Sequence, residues 1–291
     1  MLIIKVIKYF FQAILVYLLF IIIKIIGLHL SRNFFSFLFN KIGNSIKSEQ
    51  TINNNLGKFV GSYSETIKKQ IKIKMWNNYG RTFVEYLYLK KFRNSNYHIE
   101  IKGEQILTNI IKNNKPVIFV SGHFANFELM SMELTKRNIN LATIYRPLNN
   151  FFLNPFMEYV RKKYVCPNQI KKGLSGVKDS INYLKNNFSV ALMIDQRVSE
   201  GKKLPLFDHM ALTTTLPAQM ALKFNLDIVP IYLARKKNDI FEMEIYDPIK
   251  IIRNNDSESN KLNISIKLNK ILEEMISRDP GQWIWTHNRW K

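Results

Sequence analysis

The chain has 291 residues, 46% of them hydrophobic, which suits one large domain or two small ones with a sizeable core and excludes a disordered chain. Its 43 Lys and Arg against 22 Asp and Glu leave a net charge of +21, a field that attracts nucleic acid, anionic lipid head groups or an acidic protein. A single Cys166 excludes an internal disulfide and a cysteine zinc cluster.

The predicted elements begin with "MLIIKVIKYFFQAILVYLLFIIIKIIGLHL". Over residues 9–23 only Gln12 interrupts the apolar run, and Lys5, Lys8 and Lys24 flank it. A spanning helix needs about 20 apolar residues, so this one is short unless Lys24 snorkels and residues 25–28 are included. No A-x-A-like cleavage site follows, so the expectation is an uncleaved membrane anchor over residues 1–45, with a buried core helix as the alternative. Lys5 and Lys8 favour a cytoplasmic N-terminus, while Lys24, Arg32 and Lys41 oppose it. A helix lying in the cytoplasmic leaflet removes that conflict.

"SRNFFSFLFNKIG" continues as an aromatic, partly amphipathic stretch, and "NSIKSEQTINNN" reads as a linker or helix start. Residues 65–92 look helical. Beyond them the apolar runs at 116–121, 140–145, 189–194, 227–233 and 240–246 read as strands, separated by helices over 126–137, 151–163, 173–187 and 216–224. Thr215 and Pro217 suit the start of the last of these. A final helix carries Leu268, Ile271, Leu272, Met275 and Ile276 at i, i+3, i+4, i+7 and i+8. Such alternation predicts a three-layer αβα sandwich with a mostly parallel central sheet over residues 46–291.

"SGHFANFELM" stands at the junction of one strand and one helix. Five residues within a continuous helix leave two side chains about 140° apart, so His123 and Glu128 meet only if a turn intervenes. Gly122 permits such a turn and Asn126 is a good N-cap, which puts His123 on the loop and Glu128 in the first helical turn. A carboxylate on one imidazole nitrogen fixes the tautomer and leaves the other as a general base, here for a substrate hydroxyl. The spacing alone is equally that of an ordinary strand-to-helix turn. The five histidines show no H-E-x-x-H or H-x-H spacing, and neither a G-x-x-x-x-G-K nor a G-x-G-x-x-G motif occurs.

"GHFANFE", "YRPLNN", "DQR", "LPLFD", "TTTLPAQMALKFNLDIVPIY" and the terminal "WIWTHNRWK" occur in this order, with "NNYGRTFVEYL" upstream. Together they resemble the late lauroyl/myristoyl acyltransferases of lipid A biosynthesis, within the wider H-x4-D/E glycerolipid acyltransferase group. The resemblance covers nearly the whole chain. It implies transfer of a fatty acyl group from acyl carrier protein to a hydroxyl of a lipid A precursor of the Kdo-lipid IVA type. It places the catalytic domain at the cytoplasmic face of the inner membrane, with no cofactor beyond the acyl donor and no metal. It makes His123 the base and Glu128 its acidic partner, with Arg146, Asp195 and Gln196 binding substrate. One departure stands out: relatives carry a "PFFG" run where this chain has Leu206, Phe207 and Asp208, which puts the shape of the pocket wall in question. The alternatives are a related enzyme with a glycerolipid, glycolipid or aminolipid acceptor, or a non-enzymatic basic protein binding membrane or nucleic acid. No nucleic-acid-binding signature supports the last.

Overall fold

The computed structural model describes residues 2–60, 65–251 and 255–291. Helix α1 (Leu2–Ile26) contains the whole apolar run. Gly27, with φ 86°, separates it from α2 (Leu28–Ile46), a backbone conformation that glycine adopts without steric cost. The polar stretch read as a linker or helix start is helical throughout most of its length: it closes α2 and opens α3 (Glu49–Val60). Next, α4 (Glu65–Glu85), a 3-10 turn and α5 (Leu89–Arg93) fill the helical region expected over 65–92. Helices α2 and α4 lie against each other because of Gly80, where a Cβ would stand 2.2 Å from the carbonyl oxygen of Phe35. The glycine of "NNYGRTFVEYL" therefore permits the close approach that carries Thr82, Glu85 and Tyr86 to the sheet.

Strand–helix alternation then follows as β1 (Ile99–Lys102), α6 (Glu104–Asn113), β2 (Ile118–Ser121), α7 (Glu128–Lys136), β3 (Leu141–Tyr145), α8 (Asn154–Val160), β4 (Asn168–Lys171), α9 (Leu174–Lys185) and β5 (Ser189–Met193). A hairpin of β6 (Lys202–Leu206) and β7 (His209–Thr213) leads to α10 (Leu216–Phe224), β8 (Ile228–Arg235), β9 (Phe241–Ile245) and α11 (Ser257–Arg278). Seven strands form one sheet in the order β1-β9-β8-β2-β5-β3-β4. Every pairing in it is parallel except β8 with β9. Successive strand side chains face opposite ways. Val117 and Phe119 thus enter a core with α7 residues such as Leu129 and Met130, while Ile118 and Val120 enter a second core with α10 and α11. Helices cover both faces, as the alternating pattern predicts. In α11, Leu268, Leu272, Met275 and Ile276 are all buried.

Two local expectations need correction. Phe127, not Asn126, precedes the first residue of α7, and no side chain caps it; the Asn126 amide is drawn instead to a buried carboxylate of α4. The left-handed residue of the turn is Ala125, at φ 45°, rather than Gly122. Gly122 is required for space, since a Cβ there would meet Phe124 at 2.7 Å. The "PFFG" departure lies at the tip of the β6–β7 hairpin. Phe207 and Asp208 are both left-handed, at φ 51° and 58°, the pattern of a two-residue primed turn. Aspartate tolerates this conformation through its short polar side chain. His209 opens β7 and is exposed.

Candidate active site

Strands β2 and β5 are adjacent and parallel, with Ser121 paired to Met193. Two residues beyond that pair, at the carboxyl ends where α/β sheets gather their sites, stand His123 and Asp195. The register alone sets them side by side. His123 Nδ1 lies 2.7 Å from Asp195 Oδ1, and the His123 backbone N–H donates to Oδ2 at 2.7 Å. Trp283 Nε1 donates to the same Oδ2 at 2.9 Å. Burial of Asp195 favours its neutral form, but the adjacent His123 charge and these three donors outweigh it and hold the carboxyl below its ordinary range. An ionised Asp195 accepts only, so in the neutral imidazole Nδ1 carries the ring proton and Nε2 holds the lone pair. The imidazole retains 17% of its side-chain exposure, stacks edge-on against Phe127 at 4.6 Å, and has the Gln196 amide nitrogen 3.4 Å from Nε2.

Glu128 is placed otherwise than the spacing suggests. It opens α7, yet no hydrogen bond or ion pair joins it to His123 among the described residues. Its Oε1 accepts from Arg161 Nε at 2.8 Å, from Arg161 Nη2 at 2.6 Å and from the Tyr86 hydroxyl at 2.5 Å. Arg161 begins a π-helical turn, Arg161–Val165, at the end of α8; such turns recur at functional sites. Burial pushes the Tyr86 hydroxyl up, and the Glu128 charge pushes it further. The carboxylate partner expected for His123 from five residues along the chain is thus supplied from 72 residues away.

The loop carrying His123 is held from below. Ala125 N–H donates to Gln282 O at 3.0 Å, and Ala125 O accepts from Thr82 Oγ1 at 3.1 Å. Asn126 Nδ2 donates to Glu85 Oε2 at 3.0 Å. Glu85 is fully buried and also accepts from Arg32 Nε at 2.8 Å and from both terminal nitrogens of Arg235, while Arg81 pairs with Asp239 beside them. Charged donors on every side make this buried carboxylate tenable.

Arg146 follows β3, the neighbour of β5, and is exposed. Burial lowers the Lys172 pKa, and the nearby Arg146 charge lowers it further. Neither cation has an ion-pair partner among the described residues. Glu200 and Asp195 oppose the lowering at Lys172 without pairing with it, so the two cations remain available to an anionic group of a substrate. On the other side, burial lowers His287 to about 4 and Arg289 to about 10. Arg289 is anchored through Leu212 O and Thr213 Oγ1.

The motif spacing therefore named His123, Asp195, Gln196 and Arg146, which stand at one sheet end, and paired His123 with Glu128, whereas the carboxylate hydrogen-bonded to the imidazole is Asp195, expected among the substrate-binding residues. It missed Arg161, Tyr86, Trp283 and Lys172. Trp283 and Tyr86 had a signal, since they lie in the quoted blocks "WIWTHNRWK" and "NNYGRTFVEYL". No curated protein sequence matches the chain closely enough to count as a relative. The profile of the bacterial lipid A biosynthesis acyltransferases matches residues 4–291, so the chain belongs to the bacterial lipid A biosynthesis acyltransferase family.

Proposed function

We propose that this acyltransferase moves a fatty acyl chain from an acyl carrier protein thioester to a hydroxyl of a lipid A precursor of the Kdo-lipid IVA type, at the cytoplasmic face of the inner membrane. The observation that carries the mechanism is the 2.7 Å contact between His123 Nδ1 and Asp195, which leaves Nε2 as the basic nitrogen, met by the Gln196 amide at 3.4 Å. Nε2 takes the proton of the acceptor hydroxyl as its oxygen attacks the thioester carbonyl carbon. Asp195 stabilises the imidazolium that results. The tetrahedral intermediate then collapses, the carbon–sulfur bond breaks, and the imidazolium proton goes to the departing thiolate. Negative charge develops on the former thioester oxygen, and the Gln196 amide beside Nε2 supplies a donor for it.

In this reading Glu128 orients Arg161 and Tyr86 rather than the imidazole. Arg146 and Lys172 receive an acceptor phosphate, and the +21 charge favours an acidic carrier protein. The chemistry requires no metal or redox cofactor. The test is acyl transfer from acyl carrier protein to a tetraacylated lipid A precursor, read by mass spectrometry. His123→Ala is expected to lose roughly 10²–10⁴ in rate while keeping its circular dichroism. A folded His123→Ala protein with near-wild-type turnover overturns the mechanism, and wild-type transfer to glycerolipids alone overturns the acceptor.

A further inference from the structure

Helix α1 has a mean hydropathy of 2.4 over its apolar stretch and is largely unburied. Ile4, Phe11, Leu15, Leu18, Ile22 and Ile25 all point to solvent. The other side of the helix is docked along its length onto the sheet domain. Asn150 Nδ2 donates to Tyr9 O at 2.9 Å, Phe10 meets Phe152 at 5.6 Å, and the Tyr17 hydroxyl donates to Phe152 O at 3.0 Å. Phe20 lies 5.3 Å from Phe156 of α8 and 5.5 Å from Phe83 of α4, and Lys24 donates to Leu87 O. From Tyr9 to Lys24 the docked length is about 22 Å at 1.5 Å per residue.

A hydrocarbon core is about 30 Å thick. If α1 crossed it, the docked loop with Asn150 and its carbonyls, the start of α8 and the 3-10 turn after α4 would together be carried through most of that depth. Lipid-exposed irregular backbone is not tolerated there. A helix lying in the plane of one leaflet, its apolar face sunk about 5–10 Å, meets no such penalty. The docked loop runs directly from Arg146 at the carboxyl end of β3, and it exposes Leu148 and Phe151.

We propose that α1 lies along one leaflet of a lipid bilayer and that the loop over residues 147–152 enters the same leaflet beside it through Leu148 and Phe151. The active site then opens onto the acyl-chain region without the acceptor leaving the membrane. This surface rests on the membrane association of the family and is independent of which acceptor or donor is used.

Cys166 is fully buried, so single introduced cysteines can be labelled selectively in the full chain. Ile3→Cys, Ile14→Cys, Ile25→Cys, Leu148→Cys and Phe151→Cys, each carrying a nitrobenzoxadiazole probe, are bound to phosphatidylethanolamine–phosphatidylglycerol vesicles containing shallow or deep nitroxide lipids. The expected result is similar shallow quenching at all five positions, with protection from aqueous iodide. A deep Ile14 probe with Ile3 and Ile25 near opposite surfaces overturns the in-plane helix. A Phe151 probe open to iodide and untouched by nitroxide lipid overturns the loop. As a second measurement, Leu148→Asp with Phe151→Asp is expected to weaken vesicle partitioning about tenfold, because apolar burial drives interfacial binding; unchanged partitioning counts against the loop.

Discussion

Asp195→Asn separates the His123–Asp195 pair from the His–Glu dyad that the motif spacing suggests. Asp195 Oδ2 accepts two N–H donors, from the His123 backbone and Trp283, and Oδ1 faces His123 Nδ1. An asparagine there has one oxygen. Placed at the Oδ2 position it keeps both N–H bonds, and its NH2 then faces Nδ1. Flipped, it sets its NH2 against two donors at once, losing two buried hydrogen bonds at about 1–3 kcal/mol each. The first orientation wins, so the amide donates to Nδ1 and the ring proton moves to Nε2, where the base is needed. In Ser–His–Asp triads the same tautomer reversal costs about 10⁴ in kcat, equivalent to about 5.5 kcal/mol of transition-state stabilisation. The assay is single-turnover acyl transfer from acyl carrier protein, with folding checked by circular dichroism. Glu128→Gln, measured alongside, is expected to destabilise the fold through the half-buried Arg161 it leaves uncompensated, while leaving the pH dependence of turnover in place. A folded Asp195→Asn protein within tenfold of wild type, with Glu128→Gln down about 10⁴ at unchanged stability, would refute the argument.

Glu85→Gln is expected to cost about 3–5 kcal/mol, since it leaves Arg32 and Arg235 facing a neutral group in a buried cluster; a thermal midpoint within 2 °C of wild type would contradict this. His287 has a folded pKa of about 4 against 6.5, so below pH 6.5 the unfolded chain takes up a proton that the folded one refuses. Stability therefore falls as pH drops from 6.5 towards 4, and His287→Leu should flatten that part of a urea-denaturation pH series. Docking of acyl carrier protein through the basic surface predicts a KM for the acyl donor that rises with salt, because exposed charges are screened over about 8 Å at physiological ionic strength; a salt-independent KM would exclude it.

Local sequence determined the elements. The 3.6-residue pattern of residues 268–276 and the short apolar runs at 116–121, 140–145, 189–194, 227–233 and 240–246 became helix and strands, because burying one stripe or one run is a local requirement. Strands β1 and β4 escaped notice because four-residue polar edge strands such as "IEIK" and "NQIK" carry too few apolar positions to read. The composition likewise identified α1 as a lipid-seeking helix. How the helix lies is not a matter of composition, since that depends on the stretch from Tyr9 to Lys24 along which the domain grips it. The same division runs through the active site. A histidine after "PVIFVS" and an aspartate after "SVALMI" were each legible as polar residues ending strands. Their pairing depended on β2 and β5 being neighbours in a register that matches Ser121 with Met193. Sequence spacing pointed to Glu128, but Ala125 in the left-handed region turns the chain, Phe127 takes the place beside the imidazole, and Arg161 arrives from α8 to claim the carboxylate. Adjacency along a chain constrains side chains only within one element; between elements, sheet order and register decide which charges meet.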